Sequence, residues 1–237
     1  MWEFDTEFSE IIQRTSEVKS FRFPINSNQA PYQAGQFFFV TINVKGQEAL
    51  HHFSLSSSPT DKQYLEFTKR ITSSDFSQTL NVIKPGDGAH ISGPLGSFTL
   101  PRKPQPLCFI SGGIGITPLR SMLRYITAKQ LPHNVVLLYG NNNYEDIVFR
   151  DELKHLETSH PTLRVEFILS GPNIPPDWKG KAGRINQEIV RELVPDYEKR
   201  LFYISGPPKM VIALEEAIAA IGVPEGKVRR DSFTGYD

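Results

Sequence analysis

Over the first hundred residues apolar and polar positions alternate in short stretches, 18–23, 37–44, 64–71 and 89–92, separated by Pro31, Gly35, Gly46, Pro59, Pro85 and Gly86. A period of two broken by turn-forming residues predicts strands, here of a small antiparallel barrel. One stretch there, 75–82, has helical spacing, and Pro85-Gly86 stops it. Beyond the stiff segment Arg102-Lys103-Pro104-Gln105-Pro106 the period changes. Apolar runs at 107–111, 135–140, 165–170, 201–205 and 227–233 alternate with amphipathic stretches opening at Pro118, Ile147, Gln187 and Met210. In the last of these Val211, Leu214, Ile218 and Ile221 share one face, Glu215 and Glu216 lie opposite, and Gly222 with Pro224 ends the helix. Five strands with helices between them predict a parallel sheet covered on both faces. The expected fold class is therefore β + α/β: an antiparallel barrel over 1–103, then a five-stranded parallel α/β domain over 104–237.

Composition narrows the function classes. Acidic and basic residues balance at 26 each, so no overall field draws the chain to nucleic acid or to an anionic membrane. No run approaches the roughly 18 apolar residues of a membrane span, and Met1-Trp2-Glu3-Phe4-Asp5 lacks a signal peptide's layout, so a cytoplasmic location is expected. Cys108 is the only cysteine, which rules out an internal disulfide and any cysteine-ligated iron–sulfur or zinc cluster built by these 237 residues alone. The six histidines show no metal-binding spacing beyond the adjacent pair His51-His52, and no metal is expected.

The segment Leu107 to Pro118 concentrates the candidate chemistry. An apolar strand runs into Gly112, Gly113 and Gly115, which let a backbone approach a charged ligand closely, and then into a helix whose first turn offers unpaired N–H groups. Thr117 reads as its N-cap and Pro118 as its first helical residue. A pyrophosphate suits such a turn; the same glycines also suit a tight turn with no ligand.

This segment is similar to the G-G-x-G-x-x-P loop of the ferredoxin–NADP reductase superfamily. His51-His52-Phe53-Ser54-Leu55-Ser56-Ser57-Ser58-Pro59 resembles that family's flavin motif R-x-Y/F-S/T-x-x-S, Gly93-Pro94-Leu95-Gly96-Ser97-Phe98 its G-P-x-G-x-F turn, and Ser205-Gly206-Pro207-Pro208-Lys209-Met210 its C-G-P-x-x-M. The order and spacing agree, and the resemblance covers essentially the whole chain. It implies a flavoprotein that takes hydride from NADH or NADPH onto FAD, with FMN second, and passes electrons to a separate acceptor protein. A small acceptor such as free flavin or a ferric chelate, or an electron-transfer subunit active only in a complex, are the alternatives.

By the resemblance, Phe53 and Ser54 lie against the flavin ring with His52, Phe67 and Gly93 nearby, the Ser54 hydroxyl bonding near the atom that receives hydride. Taken alone, Phe53 suits a core strand; the serines following it tip the reading, since so many hydroxyls would be wasteful in a plain strand. Where the family has a phosphate-clamping arginine this chain has His51, mostly neutral near pH 7, leaving that role to Lys69 or Arg70 and to Ser74 and Ser77 at the start of the barrel helix, where the family's G-x-x-S reads Ser74-Asp75-Phe76-Ser77. For the pyridine nucleotide, Gly112, Gly113, Gly115, Thr117 and Pro118 take the pyrophosphate, and Ser205, Gly206 and Pro207 border the nicotinamide, with Ser205 replacing a common cysteine. Many NADPH-using relatives carry Ser-Arg where this chain has Ser170-Gly171-Pro172, which points to NADH, with Lys181, Arg184 and Arg150 as the available cations. Near the end, Asp231 is a candidate proton relay, and Phe233 or Tyr236 a cover for the flavin ring.

Overall fold

The computed structural model describes residues 1–26 and 28–233. Its contacts group into two compact units, one formed by residues 1–100 and 120–125, the other by 101–119 and 126 onward. Among the described residues no helix is long and apolar enough to cross a membrane.

The first unit holds two antiparallel sheets. One has the order β1-β7-β4-β5, built from β1 (Trp2–Glu7), β4 (Phe37–Val44), β5 (Gln47–Ser54) and β7 (Gly88–Leu95); the other has the order β2-β3-β6, from β2 (Glu10–Gln13), β3 (Val18–Pro24) and β6 (Tyr64–Arg70). The inward faces fill with aromatic rings: Phe21, Phe23, Phe38, Phe53 and Phe67 are buried in one cluster, and the Phe67 ring stacks between Phe21 and Phe53 at centroid distances of 5.0 and 4.4 Å. Helix α1 (Asp75–Val82) closes the cluster with Phe76 and Leu80; Ser74 caps it by accepting the Ser77 N–H.

The second unit is a parallel sheet of six strands, order β11-β10-β9-β8-β12-β13, where five were expected. The strands are β8 (Leu107–Gly112), β9 (Val135–Asn141), β10 (Leu163–Leu169), β11 (Lys181–Ala182), β12 (Leu201–Gly206) and β13 (Val228–Ser232), and the helices among them are α2 (Ile116–Ala128), α3 (Arg150–Ser159), α4 (Gln187–Leu193) and α5 (Pro208–Ala220). The extra strand, β11, has two residues paired to Ile168 and Leu169, too few to leave a hydrophobic period. The central strands β8 and β12 are buried along their whole length, as a sheet covered on both faces requires. Val190, Val194, Val211, Leu214 and Ile218 of α4 and α5 pack with Cys108, Ile110, Phe202 and Ile204 on one face.

Candidate functional site

In the second unit the strand order reverses between β8 and β12: β9 to β11 build outward on one side and β13 on the other. Such a switch point leaves a crevice at the carboxyl ends of the strands, where α/β sheets bind ligands. Gly115 is required by contact with backbone, whereas Gly112 and Gly206 meet only the flexible end of the Met210 side chain. A Cβ on Gly115 would lie 2.3 Å from the Ser205 carbonyl oxygen, one on Gly112 2.2 Å from Met210 Sδ, and one on Gly206, at φ +157°, 2.4 Å from Met210 Cε. Gly113 differs: its φ is +52°, nothing lies within 4 Å of a Cβ there, and its carbonyl accepts the Tyr139 hydroxyl at 2.8 Å. The turn is thus held from beneath and open above.

Thr117 does not cap this helix. Gly113–Gly115 forms a 3₁₀ turn that runs directly into α2 at Ile116, so Thr117 is already helical and its hydroxyl donates to the Ile114 carbonyl at 3.2 Å. Pro118 lies within the first turn, where its missing N–H costs nothing.

Beside this turn lies a row of polar groups that have no partner among the described residues. Ser111 and Ser205 are register neighbours on β8 and β12, Asp231 pairs with Ser205 on β13, and side chains at paired positions of a parallel sheet share a face. The Ser111 and Ser205 hydroxyls and both amide atoms of Asn141, which ends β9, are buried and make no hydrogen bond among the described residues. An unmatched buried polar group costs about 1–3 kcal/mol, so a protein that keeps several together has a polar visitor or internal water to match them. Asp231 is largely buried, and burial pushes its carboxyl up to about 6. The Phe233 N–H donates to the Gly206 carbonyl at 3.0 Å, tying the chain end to the same crevice; Tyr236 lies outside the described residues. Pro207 precedes α5, and Ser170 donates to Asn142 Oδ1 at 3.3 Å.

In the first unit, His51 and Phe53 face the aromatic cluster while His52 and Ser54 face Phe37 and Phe39. Phe53 is buried against Phe67 and Phe76, with Phe67 fully buried behind it. The His51 ring lies 4.0 Å from that of Phe76; burial first, then Lys69 and His52, holds its pKa below the ordinary value. Gly93 is required because a Cβ would come within 2.9 Å of Phe38 Cβ. Ser77 is buried and its hydroxyl lies 3.0 Å from that of Thr72.

The serine run after Ser54 has a different use from the one the sequence suggested. Ser56 Oγ meets Thr68 Oγ1 at 2.9 Å, Ser57 Oγ accepts the Tyr32 hydroxyl and the Glu66 N–H, and Ser58 Oγ pairs with Thr60 at 2.6 Å. These hydroxyls serve an internal network whose centre the sequence reading missed: Glu66, a fully buried carboxylate contacted by Arg120 at 2.5 Å, Arg22 at 2.8 Å and Arg14 at 3.3 Å. Burial works to raise the Glu66 pKa, and the three arginines overcome it, leaving it below the ordinary value.

A barrel with a strand-borne aromatic motif and a parallel sheet with a glycine turn at its switch point define a two-domain nucleotide-dependent oxidoreductase. Family comparison agrees: residues 5–100 match the oxidoreductase FAD-binding domain and 109–216 the oxidoreductase NAD-binding domain. The chain is 31% identical over 211 residues to ferredoxin–NADP reductase B of Sorangium cellulosum, covering 85% of each, and belongs to the ferredoxin–NADP reductase family. It is also 26% identical to the glycine betaine monooxygenase reductase subunit of Chromohalobacter salexigens, spanning 94% of this chain but only 62% of that protein. The fold matches that of a ferredoxin NADP+ reductase from Neisseria gonorrhoeae solved with bound FAD and NADP, at a TM-score of 0.84 and 18% identity, covering 98% and 99% of the two chains.

Proposed function

We propose that this chain oxidises NADH, or less readily NADPH, and delivers the electrons through FAD to an acceptor outside these 237 residues. The observation that carries the reading is the unmatched row Ser111, Ser205 and Asn141 beside the glycine turn, in a chain whose halves match an FAD-binding and an NAD-binding domain. FAD, when bound, supplies the ring that accepts hydride and releases electrons singly or in pairs.

The chain's own residues position, shield and move protons. Gly112, Gly113 and Gly115 admit the donor's pyrophosphate to backbone N–H groups, and Thr117 and Pro118 set the helix behind them. Ser205 and Ser111 offer hydroxyls to the nicotinamide end, with Gly206 and Pro207 shaping the wall. Asp231, its carboxyl pushed up to about 6 by burial, takes up and releases a proton around that pH and is mostly ionised at pH 7. On the barrel, Ser54 offers a hydroxyl on the face opposite Phe53, and His51 packs against Phe76 of helix α1, whose start carries Ser74 and Ser77.

NADH is the preferred donor because two of the three cations named for a 2′-phosphate, Lys181 and Arg150, are engaged elsewhere. Lys181 pairs with Glu192, while Arg150 pairs with Asp151 and lies 4.5 Å from the centre of the Tyr144 ring. An unengaged cation is what a 2′-phosphate needs. The acceptor class is a carrier such as a ferredoxin, a haem protein or an oxygenase component, as the named relatives suggest. Purified protein should retain FAD and reduce ferricyanide with NADH, with kcat/KM at least about tenfold above that with NADPH. Retained flavin without ferricyanide reduction would overturn the reading.

A further inference from the structure

The residues that follow Ser54 are held by one stretch of helix. Residues 120–125 of α2 group with the first unit, and there Arg120 and Arg124 stand one turn apart with Ser121 beside them. Arg120 Nη1 donates to the Ser56 carbonyl at 2.8 Å, and the Ser121 hydroxyl to the Ser57 carbonyl at 2.5 Å. Arg124 donates to Asp61 Oδ1 at 2.9 Å, and the other Asp61 oxygen accepts the Ser58 N–H at 2.8 Å. Met122 of the same stretch lies on Gly35, where a Cβ would come within 2.3 Å of the methionine Cε. Gly35 leads into Gln36 and Phe37, which flank Ser54 across β4: Phe37 is its register partner, and the Gln36 carbonyl accepts the Leu55 N–H at 2.9 Å. Ser54 is therefore fixed from both sides by segments seated on residues 120–125.

Matching the Glu66 charge does not by itself call for Arg120. Arg22 and Arg14 already reach Glu66 Oε2, and the Ser56 hydroxyl reaches Oε1 at 3.2 Å. The Arg120 side chain, only 3% exposed, brings the cluster to three guanidinium groups against Glu66 and the exposed Glu10. A buried cation beyond what neutralises the site costs stability. What Arg120 adds is a bridge: its Nη1 divides its two hydrogens between Glu66 Oε1 and the Ser56 carbonyl. The carboxylate fixes the guanidinium, and the guanidinium fixes the backbone two residues past Ser54.

We propose that Arg120, assisted by Ser121, is a positioning residue for the flavin half of the reaction, setting where the Ser54 hydroxyl stands by holding the Ser56 and Ser57 carbonyls. The proposal rests on the flavin reading of this site. Hydride transfer is sensitive to alignment, since a displacement of about 1 Å can cost about 100-fold in rate, whereas affinity for a large ring is spread over many contacts. Loss of the bridge therefore acts on rate before it acts on binding.

The test compares Arg120→Met, Arg120→Lys and Ser121→Ala with wild type in three measurements. These are FAD affinity by fluorescence titration, visible circular dichroism of the bound flavin, and the limiting rate of flavin reduction by NADH at saturating FAD. Arg120→Met should lower the limiting rate about 10- to 100-fold and alter the flavin dichroism, while FAD affinity and the NADH concentration for half-maximal rate stay within about threefold. Arg120→Lys, whose ammonium still bridges Glu66 and the Ser56 carbonyl, should keep the rate within about threefold, and Ser121→Ala should lower it by about threefold. If Arg120→Met does not fold, Ser121→Ala decides the matter. Folded Arg120→Met with the wild-type rate and dichroism, or an FAD affinity that falls as far as the rate, would overturn the proposal; so would a wild-type rate in Ser121→Ala where it decides. Wild-type protein with no affinity for FAD would overturn the flavin reading itself.

Discussion

The two units treat buried polar groups in opposite ways. In the barrel, Glu66 is matched by Arg14, Arg22 and Arg120, and Ser56, Ser57 and Ser58 bond among themselves and their neighbours. In the parallel sheet, the Ser111, Ser205 and Asn141 side chains are buried at the strand ends with no partner among the described residues. A matched network fixes a shape; an unmatched row costs stability that the protein keeps for a visitor. Under the proposed function, the barrel would be the holder of the resident flavin and the sheet the port for the nucleotide that comes and goes.

The largest effect should come from breaking the matched network. Glu66→Ala strands three arginines and should cost about 3–5 kcal/mol in chemical denaturation. Because the folded-state pKa of Glu66 is depressed, its contribution is present above the ordinary carboxylate range and disappears as pH falls through the lower folded value, so wild type should lose stability there more steeply than Glu66→Gln. A Glu66→Ala protein as stable as wild type would remove the contrast.

Next, Gly115→Val places a side chain against the Ser205 carbonyl and should weaken NADH binding by at least about tenfold while FAD is retained, as read by parallel titrations. Ser205→Ala separates cost from use. It removes a hydroxyl with no partner, so the protein should unfold at the same or up to about 1 kcal/mol higher free energy, while reduction by NADH slows about threefold or more. Equal stability with an unchanged rate would mean that the row serves water alone.

The smallest effects are those of pH. The folded pKa of Asp231 is raised, so the folded state binds the extra proton, and stability should fall as pH rises from the ordinary aspartate range to about 6. Asp231→Asn should flatten that slope.

Much of this architecture was legible in the sequence because period and punctuation are local. Helix α1 falls on the residues its spacing predicts, and β4 and α4 begin where their patterns begin. Strand β5 left no alternation because it is an edge strand exposed along most of its length, and β11 is too short to have a period. Thr117 was misread as a cap because a 3₁₀ turn of glycines adds helical residues that no side-chain pattern announces. The serines after Ser54 suggested a ligand only because their partners, Tyr32, Thr60, Glu66 and Thr68, lie elsewhere in the chain. Glu66 is a strand charge of ordinary appearance, and only the pairing of β6 with β3 sets it against Arg22.

The central claim is that a port for reduced pyridine nucleotide serves a resident flavin. Rapid mixing of the FAD-loaded protein with NADH or NADPH under anaerobic conditions tests it most directly. The oxidised-flavin absorbance should disappear with NADH within the first turnover, and more slowly with NADPH; a fully loaded flavin that stays oxidised with both would contradict the account.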